Sequence, residues 1–514
     1  MAVYDTMSRS KRELQVREPG TVSIYVCGVT PYDEAHIGHA RPSVVWDAIR
    51  RYLEYRGYRV HLVQNFTDID DKVIARAREL GRDPLELSGH YVGRYLEDMA
   101  ALGVKPADHY PRVSQHMSEI LEMVKALVEK GYAYESAGDV YFRVISFPGY
   151  GKLSGRSVEE LRAGARVEPG EAKESPEDFA LWKAARPGEP AWPSPWGPGR
   201  PGWHIECSAM ALRYLGNGFD MHGGGNELIF PHHENEIAQS EAFTGEAPFV
   251  RYWLHNGLVT MREEKMSKSL KNFVTIRDLL REFPAGAIRV YLLSAHYRAP
   301  LEFDPARLQE ARRAWERLQN AVRSLDEVLT HDVATDQEGL EVAAGMGAGS
   351  DRVRDRFHAA MDDDFNTPQA LAALFDLARA GNSAVSLLLR GGPLGLSGEA
   401  REGLTRAHRT FEQLGGVLGV VAPVVAPAPA EVGPRPAAVR PGDQVPGERV
   451  AGEQGVWFEE LLDILVEVRT RARQEKSWAL ADLIRERLGA MGIALEDTPL
   501  GTRWRLRSRE GGPV

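Results

Sequence analysis

SIYVCGVTPYDEAHIGHARPSVVWDAIRRYLEYRGYRVHLVQNF, residues 23–66, decides the fold. The run from Ser23 to Val29 is short, apolar and rich in β-branched residues, which favours a strand. A turn follows, then a helical pattern through about Tyr55, then a second strand, RVHLVQNF, ending at Phe66. Strand, helix and strand in that order imply a right-handed parallel βαβ unit, the building block of a doubly wound, Rossmann-type α/β sheet. Ligands of such sheets sit at the carboxyl ends of the strands, which here means the residues just after Cys27.

Outward from this unit, 514 residues exceed one ordinary core and call for several domains. A catalytic α/β domain is expected over residues 1–303. Within it, an insertion at about 111–202 mixes helical patterns with PGEPAWPSPWGPGRPG, whose prolines and glycines oppose regular structure. Sheet-like and loop chemistry resumes from Trp203 to about Thr275, and the last part of the domain spans about 251–303. Beyond Asp304, patterns such as RLQEARRAWERLQNAV predict a helical bundle over 304–421, including the loop DDDFNTPQ. A Pro/Ala/Gly-rich linker is expected at 422–454. A small mixed α/β domain should fill 455–514, with a helix ending near Gly489, an apolar strand and a terminal strand containing Trp504.

The composition, 43% hydrophobic and 26% charged, is that of a globular protein, not a disordered or fibrous one. The N-terminus lacks the apolar core of a secretory signal and no stretch is long and apolar enough to span a bilayer, so the cytoplasm is expected and a membrane is not a partner. Two cysteines, Cys27 and Cys207, cannot build a disulfide framework and are better read as buried or ligating thiols. The net charge of −10 does not exclude a nucleic-acid partner, because a local basic patch suffices to hold phosphates. Such a patch exists: from Leu465 onward the basic residues outnumber the acidic ones, and TRWRLRSR sets Arg503 and Arg505 around Trp504, a pattern suited to unstacked bases and backbone phosphates.

Three constellations carry chemistry. TPYDEAHIGHARP, starting at Thr30, puts His36 and His39 at the entrance of the expected helix, where backbone N–H groups and the helix dipole attract phosphate. EEKMSKSLKN interleaves Lys265, Lys268 and Lys271 with serines, mobile donors suited to a polyphosphate whose charge shifts during reaction. The third is GWHIECSAM with HGGGNELIFPHHENEIAQ, where Pro231 can open a helix and His232 and Glu236 leave one face. With Cys27 and Cys207 these give two sulfurs, one nitrogen and one oxygen, a plausible zinc shell, although spacing alone leaves His233 as an alternative to His232.

HIGH followed by KMSKS is the signature of class I aminoacyl-tRNA synthetases, and the order YVCGVTPYDEAHIGHA, NFTDIDDK, GWHIECSAM, HGGGNELIFPHHENE, KMSKS resembles the cysteinyl-tRNA synthetases. The resemblance covers the catalytic part and returns near the C-terminus, as an anticodon-binding end. It implies one Zn2+ per chain on Cys27, Cys207, His232 and Glu236, meeting the substrate thiolate, and a cysteine pocket lined by Thr67, Trp203 and His222. It further implies catalysis by His36, His39, Lys265 and Lys268, and ATP contacts from Thr30, His36, His39, Gly224, Glu227 and Lys268, with Mg2+ accompanying ATP. Glu227 stands where the family usually has Asp, and Lys271 where it usually has Gly. Expected partners are L-cysteine, ATP and tRNA(Cys), the last held by the helical bundle and by Arg503, Trp504 and Arg505, on a monomeric enzyme. Two other readings remain. One is the related ligase that joins cysteine to an aminosugar in mycothiol synthesis, which would not need the basic C-terminal domain. The other is a non-catalytic, synthetase-like RNA-binding protein, which would have lost part of the phosphate machinery.

Overall fold

The computed structural model describes residues 1–157, 173–261, 264–265, 274–421, 454–498 and 501–506. The chain opens with a hairpin, β1 (Ala2–Asp5) and β2 (Ser10–Glu13), and enters the main sheet as β3 (Thr21–Val29). Helix α1 (Ile37–Tyr55) then returns it to β4 (Arg59–Phe66), which pairs parallel to β3. Asp70 and Asp83 cap α2 (Asp71–Leu80) and α3 (Pro84–Ala101), their carboxylates accepting the first free backbone N–H groups.

The insertion is built rather than loose. It holds α4 (Met117–Glu129) and an antiparallel sheet of β5 (Ala133–Ser136), β6 (Asp139–Phe142), β7 (Phe179–Ala184) and β8 (Gly199–Pro201). The expectation that the Pro/Gly run is wholly irregular therefore fails at its end. Gly199–Pro201 pairs with Trp182–Ala184, and an edge strand tolerates proline because only one of its sides must supply donors.

Chain and sheet then rejoin through α5 (Trp203–Leu215), β9 (Phe219–Gly225), α6 (Glu234–Thr244) and β10 (Val250–Asn256). Helix α5 corrects the expectation of sheet and loop from Trp203. WHIECSAMALRYL is buried along most of its length, so its apolar residues show no single stripe to betray the helical period. The sheet runs β10-β9-β3-β4, all parallel. Because β4 lies on one side of β3 and β9 on the other, the strand order reverses at β3, and a crevice opens there.

Alternation along β3 divides the domain. Val22, Ile24 and Val26 join the core that contains α1, whereas Tyr25 joins, and Cys27 packs against, a second core with α4, α5 and α6. A small sheet of β11 (Val259–Met261), β12 (Glu264–Lys265) and β13 (Leu301–Glu302), with α7 (Ile276–Glu282) and α8 (Ala285–Leu293), completes the region.

Four helices follow: α9 (Pro305–Thr330), α10 (Gln337–Asp362), α11 (Thr367–Leu388) and α12 (Gly398–Leu418). They are welded to α1 by a buried cation: Arg289 donates to Asp47 at 2.6 Å and to the Leu418 carbonyl at 2.8 and 3.0 Å. The expected linker lies, except for Gln454, outside the described residues. The last elements are α13 (Gln454–Gln474), α14 (Trp478–Ala490) and the hairpin β14 (Ile493–Thr498) and β15 (Gly501–Leu506), around a small core of Leu462, Leu488, Ile493 and Leu495. Among the described residues no helix is long and apolar enough to cross a membrane.

Candidate active site

A cleft of about 580 Å³ opens at the carboxyl ends of β3, β9 and β10, a size suited to a small-molecule ligand. Val26 to Val29, Tyr32, His36, His39, Lys72, Gly224, Gly225, Glu227 and Asn256 are among its lining residues. Of the expected nucleotide contacts, Thr30 does not line it; its carbonyl accepts from the Tyr32 N–H in the turn after β3. Lys265 lies in β12, while Lys268 and Lys271 lie outside the described residues.

His36 is the N-cap of α1, and its Nδ1 accepts from the Gly38 N–H at 3.1 Å. His39 Nδ1 in turn accepts from the His36 N–H at 3.3 Å, and the two rings stack with centroids 3.8 Å apart. With both δ nitrogens used as acceptors, each neutral ring carries its proton on Nε2. The histidine pair thus presents two N–H donors at a helix N-terminus, an arrangement that suits phosphate oxygens.

The glycine run 223–225 forms the end of a strand and not a turn. A Cβ on Gly223 would lie 2.0 Å from the Trp46 indole of α1, and one on Gly224 would lie 2.7 Å from the His233 ring. These glycines let helix and imidazole pack directly on the strand backbone.

Behind the cleft a buried polar group gathers residues from four elements. Cys27 comes from β3, Cys207 from α5, Glu236 from α6, and His232 from the wide turn Ile229–His233 that leads into α6. Cys27 Sγ lies 3.9 Å from Cys207 Sγ and 3.7 Å from Glu236 Oε1, and His232 Nε2 lies 3.0 Å from the same oxygen. One donor atom from each residue fits within a 4.8 Å cluster able to hold a metal ion. Cys27, His222, His233 and Glu236 make a second such cluster, but it offers only one sulfur.

The electrostatics suit cation binding. Burial pushes the Cys27 thiol up, while the Cys27 hydrogen bond draws Cys207 down to about 6, helped by His232. Burial works against the Glu236 carboxylate, but His222 and His232 outweigh it and hold it down to about 2. Burial works against a charge on His232, but Glu236 and Cys207 outweigh it and lift that imidazole to about 10, so two anions and one cation meet where little solvent reaches.

Sequence reasoning missed His204 and His255 in the next layer and named His233 only as an alternative ligand. His204 Nδ1 meets His232 Nδ1 at 3.0 Å; burial holds His204 neutral while His232 is protonated, so His232 donates from Nδ1 and turns Nε2 toward the sulfurs and Glu236. His233 reaches Cys27 Sγ at 3.3 Å and is braced by His255 at 2.7 Å, which meets Thr6 at 2.8 Å. HIECSAM, HHENE and YWLHN contain these histidines, but adjacency in sequence could not say which ring points inward. Of the expected cysteine pocket, Trp203 stacks on His232 at 4.5 Å and is 42% exposed, whereas Thr67 and His222 are buried. Thr67 Oγ1 donates to Glu206 at 3.3 Å; burial raises that carboxyl well above its ordinary range. Arg503, Trp504 and Arg505 lie in β15, paired with Glu496, Leu495 and Ala494.

Comparison with known proteins gives the family and the fold. A family model, tRNA synthetases class I (C) catalytic domain, matches residues 13–313, and a DALR domain matches 356–422. The cysteine–tRNA ligase of Heliobacterium modesticaldum is 51% identical over 509 residues, spanning 98% of this chain and 99% of that protein. The chain belongs to the cysteine–tRNA ligase family. The cysteine–tRNA ligase of Pelotomaculum thermopropionicum is likewise 51% identical over 98% of this chain and 99% of its own length. Solved structures agree on the fold. A methionyl-tRNA synthetase of Mycobacterium tuberculosis bound to methionyl-adenylate superposes with a TM-score of 0.56 at 16% identity, covering 78% of this chain and 90% of that one. A leucyl-tRNA synthetase of Agrobacterium radiobacter, in a ternary complex, gives 0.56 at 13% identity over 79% and 85%. The ligase is thus an enzyme of the class I aminoacyl-tRNA synthetases.

Proposed function

We propose that this ligase activates L-cysteine with ATP and transfers it to the 3′-terminal adenosine of tRNA(Cys), with Cys27, Cys207, His232 and Glu236 holding one zinc ion that selects the substrate. The observation that carries the reading is a sulfur-rich donor group set behind a cleft that a phosphate-type helix N-terminus lines, with Cys27 of that group reaching the cleft. Ideal zinc bond lengths put tetrahedral sulfur pairs ~3.8 Å apart and a nitrogen–oxygen pair ~3.3 Å apart. The observed 3.9 Å and 3.0 Å separations fit that shell. When bound, zinc supplies a soft Lewis acid that favours a thiolate over a hydroxyl. A pocket relying on apolar contacts would reject serine by only about a hundredfold.

In the first step the cysteine carboxylate oxygen bonds to the α-phosphorus of ATP, the α–β bridging bond breaks, and pyrophosphate leaves with Mg2+. His36 and His39 donate Nε2–H to the phosphate oxygens as charge moves onto them, and Lys268, with Lys265, neutralises the leaving group. Loss of one such donor costs about 10²–10³ in rate. In the second step a terminal ribose hydroxyl attacks the adenylate carbonyl, the ester forms, and AMP leaves. Gly224 and Glu227 face the nucleotide, while Thr67, Trp203 and His222 shape the cysteine side. The helical bundle carries the tRNA stem, and Arg503, Trp504 and Arg505 the anticodon end.

Labelled cysteine incorporated into acid-precipitable tRNA, run beside ATP-dependent ligation to the aminosugar of mycothiol synthesis, tests the reading. Charging of tRNA alone is the expected result. Ligation of the aminosugar alone would overturn it, and so would charging with serine at a rate near that of cysteine.

A further inference from the structure

The histidine turn and the chain that follows the lysine motif are zipped together. The Ile37 N–H donates to the Val274 carbonyl at 3.1 Å, the Ile276 N–H donates to the Ala35 carbonyl at 3.0 Å, and His36 bridges Thr275. Two backbone hydrogen bonds are worth only about 1 kcal/mol each, too little to fix a turn that must aim two imidazoles.

A charged cluster lies beside this zipper. Glu34, two residues before His36, accepts from Arg94 Nε and Nη2 of α3 at 3.0 and 2.9 Å. Arg277, in the first turn of α7, sits with Nε 2.9 Å from Asp98 Oδ1 and 3.7 Å from Glu34 Oε2, and donates from Nη2 to Glu97 at 2.6 Å. Asp98 is 2% exposed, so its charge is compensated here or nowhere. Three acids and two arginines from the turn, α3 and α7 therefore meet at one point. Arg277 is the member that belongs to the lysine-motif side.

We propose that Arg277 is a positioning residue for adenylate formation: held between Asp98 and Glu34, it fixes Val274–Ile276, directly downstream of the lysine motif, against the turn that aims His36 and His39. A planar guanidinium can face both carboxylates at once, which a lysine ammonium does in only one direction at a time. The role rests on the reading of the cleft as the site of cysteine activation. Neither Arg277 nor Glu34 lines that cleft, so the effect runs through the turn and not through contact with substrate.

The test is cysteine-dependent exchange of pyrophosphate into ATP by the full chain. Arg277→Gln alone would strand the buried Asp98, so the decisive variant pairs it with Asp98→Asn and leaves no lone buried charge. This pair should keep the wild-type melting temperature and cysteine KM while kcat for exchange falls on the order of 10- to 100-fold, the cost of misplacing reacting groups by about 1 Å. Arg277→Lys, with Asp98 intact, should fall between the two. A stable neutralised pair that exchanges at the wild-type kcat would overturn the positioning role. So would a fall in kcat matched by a loss of melting temperature and a rise in cysteine KM, which would mark a general structural effect. Absence of cysteine-dependent exchange in the wild-type protein would instead overturn the activation reading on which the role rests.

Discussion

Replacing Gly223 by alanine should damage the enzyme through a helix that the new methyl group never shares a strand with. The added Cβ would stand 2.0 Å from Trp46 Cζ2 and 2.4 Å from Cε2, in a buried contact between β9 and α1. Ordinary contact begins near 3.4 Å, so indole or strand must retreat by roughly 1.4 Å. Overpacking of this kind costs about 1–3 kcal/mol. Trp46 is about two turns along α1 from His39, and a shift of about 1 Å at reacting groups costs on the order of 100-fold in rate. Thermal melting and ATP–pyrophosphate exchange should therefore both fall, and Trp46→Leu in the same chain should restore part of each by vacating the ring's space. The double variant should be more stable than the two single losses added together, by at least about 1 kcal/mol. A Gly223→Ala protein with wild-type melting and wild-type exchange would refute the argument.

Further outcomes follow from the same contacts. His232→Ala should reduce bound zinc, read by metal analysis after dialysis, and raise the KM for cysteine while leaving ATP affinity within about twofold; wild-type zinc content would remove His232 from the ligand set. Arg289→Met should cost about 3 kcal/mol in a denaturant melt, because Asp47 stays buried with Arg51 as its remaining ionic partner. Burial, with Glu34 adding to it against Arg277, pushes Asp98 up to about 6. The folded state then holds a proton that the unfolded chain releases near pH 4, so stability from this group is present below about pH 4 and is lost as pH rises through about 6. Asp98→Asn should flatten that part of the stability profile relative to wild type, and an unchanged difference between the two proteins across this range would contradict it.

The main sheet was legible because its signals are local. SIYVCGV and RVHLVQNF are short β-branched runs separated by one amphipathic helix, and the structure turns them into β3, α1 and β4. Helix α5 was not legible, since apolar residues all round WHIECSAMALRYL erase the period that distinguishes helix from strand. Strand β8 was hidden by prolines that only an edge position excuses. At the site, residue types suggested sulfur and imidazole donors, but the inward direction of each ring depends on packing between elements far apart in sequence. His204, His233 and His255 come from α5, the turn before α6 and β10, and nothing local ties them together. In the glycine run the sequence offered only Gly224 as a nucleotide contact, and the close approach of Trp46 and His233 is visible only with both partners in place.

Strand β3 has one more consequence. Its odd-numbered side chains at Tyr25 and Cys27 serve one core, and its even-numbered ones at Ile24 and Val26 serve the other. The proposed zinc-site residues and the helix that carries His36 and His39 thus rest on opposite sides of a single backbone layer. Substitutions on the two sides share few neighbours, so their free-energy effects should largely add. On the proposed reading, this layer acts as a firewall: the side around α5 and α6 can be rebuilt to retune the amino acid accepted while the face on α1 is left alone.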